Sequence, residues 1–203
     1  MAKCSFIDLC KNIKTYDALC LLKFHWKKCN INFIDKDGCT ALIWACYNSM
    51  NEVAFKIVRM FPASCNMSHV DKFGYNAFHY ACKNGLKKAI NRMLEFASRK
   101  DLKLSCVDYH RKSNIWYVYS HRLYNTIIKM IKIDSTLAYE LPQVSDNLFI
   151  DILMSLNSDH HVKFVVKQNK LNFLLGRIKE LQIVYNRTDD KSESESTTTI
   201  KSK

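Results

Sequence analysis

The stretch Asp35-Lys-Asp-Gly38-Cys-Thr40-Ala41-Leu42-Ile-Trp-Ala45-Cys46 returns 36 residues later as Asp71-Lys-Phe-Gly74-Tyr-Asn76-Ala77-Phe78-His79-Tyr-Ala81-Cys82. A weaker copy, Asp108-Tyr-His-Arg111-Lys-Ser113-Asn114-Ile115-Trp116-Tyr-Val118, follows 37 residues after that. A chain that repeats itself at this period, without the alternation of strands, stacks helical units into a solenoid. Each copy reads alike. An Asp-x-x-Gly turn comes first, with glycine supplying the backbone freedom. Thr40, Asn76 or Ser113 then serves as N-cap of a short helix. Leu42, Ala45 and Cys46 share one face at i, i+3 and i+4, and Phe78, Ala81 and Cys82 repeat that face. The small pair at its end lets two helices approach closely. After a turn (47–50, or Lys83-Asn84-Gly85) a second helix is predicted over 52–61 and again over 86–96. Their apolar stripes are Val53, Phe55, Ile57, Val58, Met60 and Phe61, then Ile90, Met93, Leu94 and Ala97.

This pattern resembles the ankyrin repeat. The family's D-x-x-G-x-T-P-L-H-x-A-A is met in the second copy by Asp71, Gly74, Asn76, Ala77, Phe78, His79, Ala81 and Cys82. The first copy keeps Asp35, Gly38, Thr40, Ala41, Leu42, Ala45 and Cys46, with Ile43 at the histidine position. Ala41 and Ala77 stand where the family has proline. The third copy is degenerate, with Arg111 for the glycine and Val118-Tyr119 for the small pair. Asn30 to Asp35 resembles the family's link between repeats. The wording around 40–58, in a chain rich in Lys, Ile and Asn, is similar to ankyrin repeats of large amoeba-infecting DNA viruses, the mimivirus relatives. The resemblance implies an all-α ankyrin-repeat solenoid of about four repeats plus a helical C-terminal segment. The units are an N-terminal capping repeat over 1–34, repeats over 35–70 and 71–107, and a degenerate repeat over 108–140. A helical segment or cap follows over 141–186, and a disordered polar tail over 187–203. Helices are expected at 5–12 and 15–26 in the first unit, with Phe6, Leu9 and Cys10 standing 36 residues before Leu42, Ala45 and Cys46.

Composition narrows the function classes. Four glycines and two prolines in 203 residues leave little turn chemistry for a β-sandwich or barrel. Nine cysteines, an odd number with no C-x-x-C pair, form neither a disulfide framework nor a zinc ribbon, and are expected in the core. No P-loop, G-x-G-x-x-G, G-x-S-x-G or H-E-x-x-H occurs, so no enzyme activity, catalytic residue, cofactor or metal is expected. Absence of a long apolar run and of a secretory leader implies no membrane partner and a cytoplasmic location, the host cytoplasm for a viral protein. The net charge of +12 is uneven: residues 80–132 hold twelve basic and three acidic side chains. That concentration is a candidate binding surface.

By the family pattern, contact positions follow the Asp, the Gly and the small pair. Carried onto this chain they are Lys36, Asp37, Cys39, Tyr47 and Asn48; Lys72, Phe73, Tyr75, Lys83 and Asn84; and Tyr109, His110, Lys112 and His121. Trp44 and Trp116 read as equivalent, partly buried packing residues, and His79 as a structural hydrogen-bonder in the turn. The leading expectation is a monomeric protein-interaction module. Two alternatives stand beside it. One is nucleic-acid binding through 80–132, where Tyr80, Trp116, Tyr117, Tyr119 and Tyr124 interleave with the cations. The other is a ubiquitin-ligase adaptor, because Leu141-Pro142 with Phe149, Ile150, Ile152, Leu153 and Leu156 faintly resembles an F-box opening.

Overall fold

The computed structural model describes residues 5–97, 102–134 and 136–137. Within them eight helices form four antiparallel pairs: α1 (Phe6–Lys11) with α2 (Thr15–Phe24), α3 (Ala41–Tyr47) with α4 (Asn51–Met60), α5 (Ala77–Lys83) with α6 (Lys87–Ala97), and α7 (Asn114–Ser120) with α8 (Tyr124–Ile133). A 3-10 turn, Trp26–Lys28, ends the first pair, so the helix expected to run to 26 stops two residues early. Among the described residues there are no strands, only isolated antiparallel bridges joining Val70 to Asn76 and Val107 to Ser113.

Sequence chemistry sets the ends of the short first helices. Ser5 and Asp8 make a reciprocal capping box on α1. The side chains of Thr40, Asn76 and Ser113 accept from the backbone N–H groups of Ile43, His79 and Trp116 at 3.2, 2.8 and 3.2 Å. Each of these helices then stops at a left-handed residue: Ile13, Ser49, Gly85 and Arg122, with φ of 59°, 59°, 62° and 56°. The next residue donates back five positions, from Lys14 to Leu9, Met50 to Ala45, Leu86 to Ala81 and Leu123 to Val118, at 2.8–3.0 Å. The four pairs therefore turn the same way although only one of the four turn residues is glycine.

Helices α1, α3, α5 and α7 stack in one layer, called the inner layer, and α2, α4, α6 and α8 in a second, the outer layer. Leu22, Leu42, Ile57, Phe78, Ile90, Met93, Ile115, Ile127 and Met130 are fully buried between the layers. Burying each such side chain is worth about 1.5–3 kcal/mol. Ala45-Cys46 and Ala81-Cys82 are fully buried, where α3 and α5 pack on their neighbours in the row. Cys10, Cys39, Cys46, Cys65 and Cys82 are buried and Cys20, Cys29 and Cys106 half-buried, all as free thiols. Burial pushes the Cys10 thiol up to about 12 and Cys65 to about 11, so neither ionises near neutral pH.

The degenerate third copy keeps the architecture. Arg111 takes φ of 59°, the left-handed conformation that Gly38 and Gly74 hold at 76° and 79°. The segment 141–186 with its F-box-like stretch, and the tail 187–203, lie outside the described residues.

Candidate functional site

Three hairpins, one before each of α3, α5 and α7, are built by the same carboxylate. The Oδ1 atom of Asp35 accepts from the N–H groups of Asp37 and Cys39, that of Asp71 from Phe73 and Tyr75, and that of Asp108 from His110 and Lys112, all at 2.9–3.0 Å. The Oδ2 atom reaches the helix that follows. It takes Trp44 Nε1–H at 2.9 Å, Tyr80 O–H at 2.6 Å and Tyr117 O–H at 2.5 Å. One side chain thus closes the hairpin and ties it to the inner layer. Charge-assisted bonds of this kind are roughly twice as strong as neutral ones. Partial burial opposes ionisation of Asp35 and Asp108. The donors outweigh it, led by the Cys39 N–H at Asp35 and the Tyr117 hydroxyl at Asp108, and hold both carboxyls below their ordinary value.

The same donors correct one sequence reading. Trp44, Tyr80 and Tyr117 are the equivalent residues, nine positions after each Asp. Trp116 is not Trp44's counterpart; it stands one position earlier, where the other copies have Ile43 and His79. The substitution of indole for phenol hides the equivalence in the sequence, because both simply deliver a hydrogen to Oδ2.

His79 is wholly buried, in helix α5 against α7 of the next repeat rather than in a turn. Asn114 Nδ2 donates to the Leu104 carbonyl at 2.6 Å, which turns Asn114 Oδ1 toward His79 Nδ1 at 2.8 Å. Nδ1 is therefore the protonated nitrogen, and Nε2 has no hydrogen-bond partner among the described residues. Burial first, and the Lys83 charge, hold its pKa below the ordinary histidine value despite the Asn114 bond.

Aromatic rings run from hairpin to hairpin along the inner layer. Trp44 meets Tyr47 edge-on at 5.5 Å, and Tyr47 meets Tyr80 at 5.3 Å. Tyr80 meets Tyr75 at 5.9 Å, and Tyr75 stacks on His79 at 4.5 Å. His79 then meets Tyr117 at 5.9 Å and Tyr117 meets Trp116 at 5.3 Å. Ammonium groups cover both ends, Lys11 over Trp44 at 4.8 Å and Lys112 over Trp116 at 3.5 Å.

A family model of ankyrin repeats matches residues 6–106 in three copies. Residues 6–106 are ankyrin repeats. The pair α7–α8 lies beyond that match and repeats its hairpin, cap and turn geometry. No curated protein matches the chain.

Within this ankyrin array the carried-over contact positions divide by what their side chains do. Phe73 and Tyr109 project from successive hairpins, 78 % and 75 % exposed, and Tyr47 is 53 % exposed beside them. Lys36, Lys72 and His110 are also exposed. Tyr75, Lys83 and Lys112 are half-buried; the Tyr75 hydroxyl accepts from Tyr109 N–H at 3.2 Å, and Lys83 lies 5.9 Å from the Tyr109 ring. Asp37 pairs with Lys11 at 2.6 Å.

Three positions serve the stack itself, and a fourth, Cys39, faces inward. Cys39 is only 6 % exposed, and its thiol is raised to about 12 by burial and then by the nearby carboxylates of Asp35, Asp71 and Asp37. It lines a cleft instead of projecting from the hairpin. Asn48 Nδ2 donates to the carbonyls of Cys10 and Lys11 at 2.9 and 3.1 Å, and Asn84 Nδ2 to those of Cys46 and Tyr47 at 2.8 and 2.9 Å. His121 Nε2 sits 3.0 Å from the Lys83 carbonyl. At each junction this residue donates to C-terminal carbonyls of the preceding inner helix, where the helical ladder runs out of donors. Sequence spacing alone gives these residues the same standing as the exposed ones.

The outer layer carries much of the basic excess on α6 and α8, and several of its cations are engaged. Lys88 pairs with Glu52 of the neighbouring repeat and Arg92 with Glu95. Lys129 reaches Asn91 Oδ1 at 3.3 Å. Among the described residues no cluster of His, Cys, Asp and Glu could hold a metal ion. No helix among them is long and apolar enough to cross a membrane.

Proposed function

We propose that this chain is a non-enzymatic scaffold that binds a protein partner through the hairpin tips and the adjoining ends of the inner helices. The observation that carries the reading is the placement of Tyr47, Phe73 and Tyr109 on consecutive repeats, largely exposed, beside Lys36, Lys72 and His110. Folding leaves such rings in water at a cost in apolar exposure, and amphipathic aromatics are the side chains that anchor protein interfaces. Ankyrin repeats are a general protein-interaction module. The rigid base under the tips, from the Asp carboxylate bonds, supports binding with little ordering of loops.

The partner on this reading is a host or viral protein whose contact surface is acidic or mixed in charge. The viral source rests on the likeness in wording alone. The units proposed above, starting at 35, 71 and 108, each begin on the hairpin aspartate and so deliver one tip per repeat. Nucleic-acid binding is less favoured: α6 and α8 hold their cations in the outer layer, apart from the exposed rings, and Lys88 and Arg92 are paired with carboxylates.

The test is affinity capture from a cell lysate with the wild-type chain and a Phe73→Ala/Tyr109→Ala double variant. A partner retained by the wild type and lost by the folded double variant is the expected result. Equal retention by both, or a partner lost only when α6 lysines are reversed in charge, overturns the reading.

A further inference from the structure

Between the first and second hairpins a cleft of about 170 Å³ opens among Cys39, Ile43, Trp44, Tyr47, Phe73 and Tyr80. That volume is about five waters, or one large side chain. Ile43, Cys39 and Tyr80 are buried and make its inner wall, Trp44 is half-buried, and Tyr47 and Phe73 stand exposed on either side. Asp37, Asp71 and Lys72 complete the lining.

The next junction along the array shows why this cleft is open. The counterparts of Cys39 and Ile43 are Tyr75 and His79. The Tyr75 ring stacks on His79 at 4.5 Å, and its hydroxyl holds the following hairpin through Tyr109 N–H at 3.2 Å. A ring belonging to the chain itself stands where the first junction has only a cysteine side chain. With cysteine in place of that tyrosine, the first junction has an open cleft lined mainly by apolar side chains.

Charge then selects the occupant. The two carboxylates in the lining are already satisfied: Asp37 is paired with Lys11, and Asp71 accepts from Tyr80 O–H and two backbone N–H groups. A cationic guest therefore meets no free anion, while Lys72 at the mouth and Lys36 on the adjoining tip are exposed. We infer that the cleft between the first two hairpins is an anchor pocket for a single large aliphatic or aromatic side chain of a partner segment that carries carboxylates beside it. The inference deepens the proposed protein-binding role and rests on it. The apolar side chain displaces water from the Trp44–Tyr47–Tyr80 wall, and Lys36 and Lys72 attract the flanking carboxylates.

The test is selection of peptides from a random display library on the full chain, followed by affinity measurement of synthetic copies by fluorescence anisotropy. The expected consensus has one Leu, Ile, Phe or Trp with Asp or Glu within a few residues. Cys39→Tyr copies the neighbouring repeat and fills the slot, so it is expected to weaken these peptides by about ten- to a hundredfold. Tyr47→Ala is expected to act in the same direction, and Lys72→Glu to weaken binding more at low salt than at high salt. Circular dichroism confirms that each variant is folded. Lysine- or arginine-rich consensus sequences overturn the inference, and so does failure to enrich any acidic–apolar consensus. Peptides that bind wild type and Cys39→Tyr alike but are lost on Tyr109→Ala overturn the pocket and leave the hairpin-face reading standing. Peptides insensitive to both changes overturn the two together.

Discussion

Changing Tyr117 to phenylalanine removes one hydroxyl and leaves the ring. That hydroxyl donates to Asp108 Oδ2 at 2.5 Å, and both residues are buried. Oδ1 of the same carboxylate keeps its bonds from His110 and Lys112 at 2.9 Å, so the hairpin retains its turn and loses its link to α7. A hydrogen bond to a charged group is worth about 1.5–3 kcal/mol, and stranding a buried acceptor puts the cost toward the upper half of that range. We expect Tyr117→Phe to destabilise the array by about 2 kcal/mol at pH 7. In urea, where slopes are roughly 1–3 kcal/mol per molar, this moves the midpoint down by about 1 M with the slope unchanged. The pH dependence carries the sign. The folded Asp108 carboxyl lies below its unfolded value, so its stabilisation is fully present above the unfolded value of about 4 and is lost as pH falls through the folded one. The gap between wild type and variant therefore shrinks in acid. A loss under about 0.5 kcal/mol at pH 7, or a gap that widens toward pH 3, refutes the claim that this carboxylate bond fixes hairpin to helix.

Gly85→Ala is expected to cost more than about 1 kcal/mol in thermal or urea unfolding, because φ is +62° and the new Cβ would stand 2.7 Å from His121 Cγ. Ile13→Gly is expected to act the other way and raise stability by some tenths to about 1 kcal/mol, since an exposed β-branched residue now holds φ of 59°. Asn84→Ala removes the bond to the Tyr47 carbonyl and leaves the Cys46 carbonyl with the Ser49 N–H at 3.2 Å, and is expected to cost about 1 kcal/mol, with hydrogen exchange rising at the α3–α5 junction before the rest of the array. His79 is neutral when folded with its pKa lowered, so unfolding takes up a proton: stability is expected to fall as pH drops below about 6.5, and His79→Gln to remove that slope.

The fold was legible because its signals are periodic. Asp35, Asp71 and Asp108, and the caps Thr40, Asn76 and Ser113, recur at nearly constant spacing, and each does locally what its chemistry favours. The left-handed turns were only partly legible. Gly85 announces one of them, but Ile13, Ser49 and Arg122 adopt the same φ because the packing of each pair imposes it. A residue without the intrinsic preference for a conformation gives no sign of it in the sequence.

The binding face was less legible, for a physical reason that the inter-repeat clamps make plain. Asn48, Asn84 and His121 occupy one position of the repeat, just past the inner helix, where the resemblance to ankyrin repeats implies contact residues. Their donors instead reach carbonyls 37 or 38 residues upstream. Position within a repeat tells where a side chain starts, and the neighbouring repeat decides whether it stays free. The aromatic at the hairpin shows the same rule in reverse. Tyr75 is drawn inward because His79 offers a face to stack on and the Tyr109 N–H needs an acceptor. Cys39 at the equivalent site is too short to do either, and the cleft lined by Ile43, Trp44 and Tyr80 stays open between the exposed rings of Tyr47 and Phe73. An array built from near-identical units becomes selective at the junction where one unit omits what the others supply, and here that junction is the one between Asp35 and Asp71.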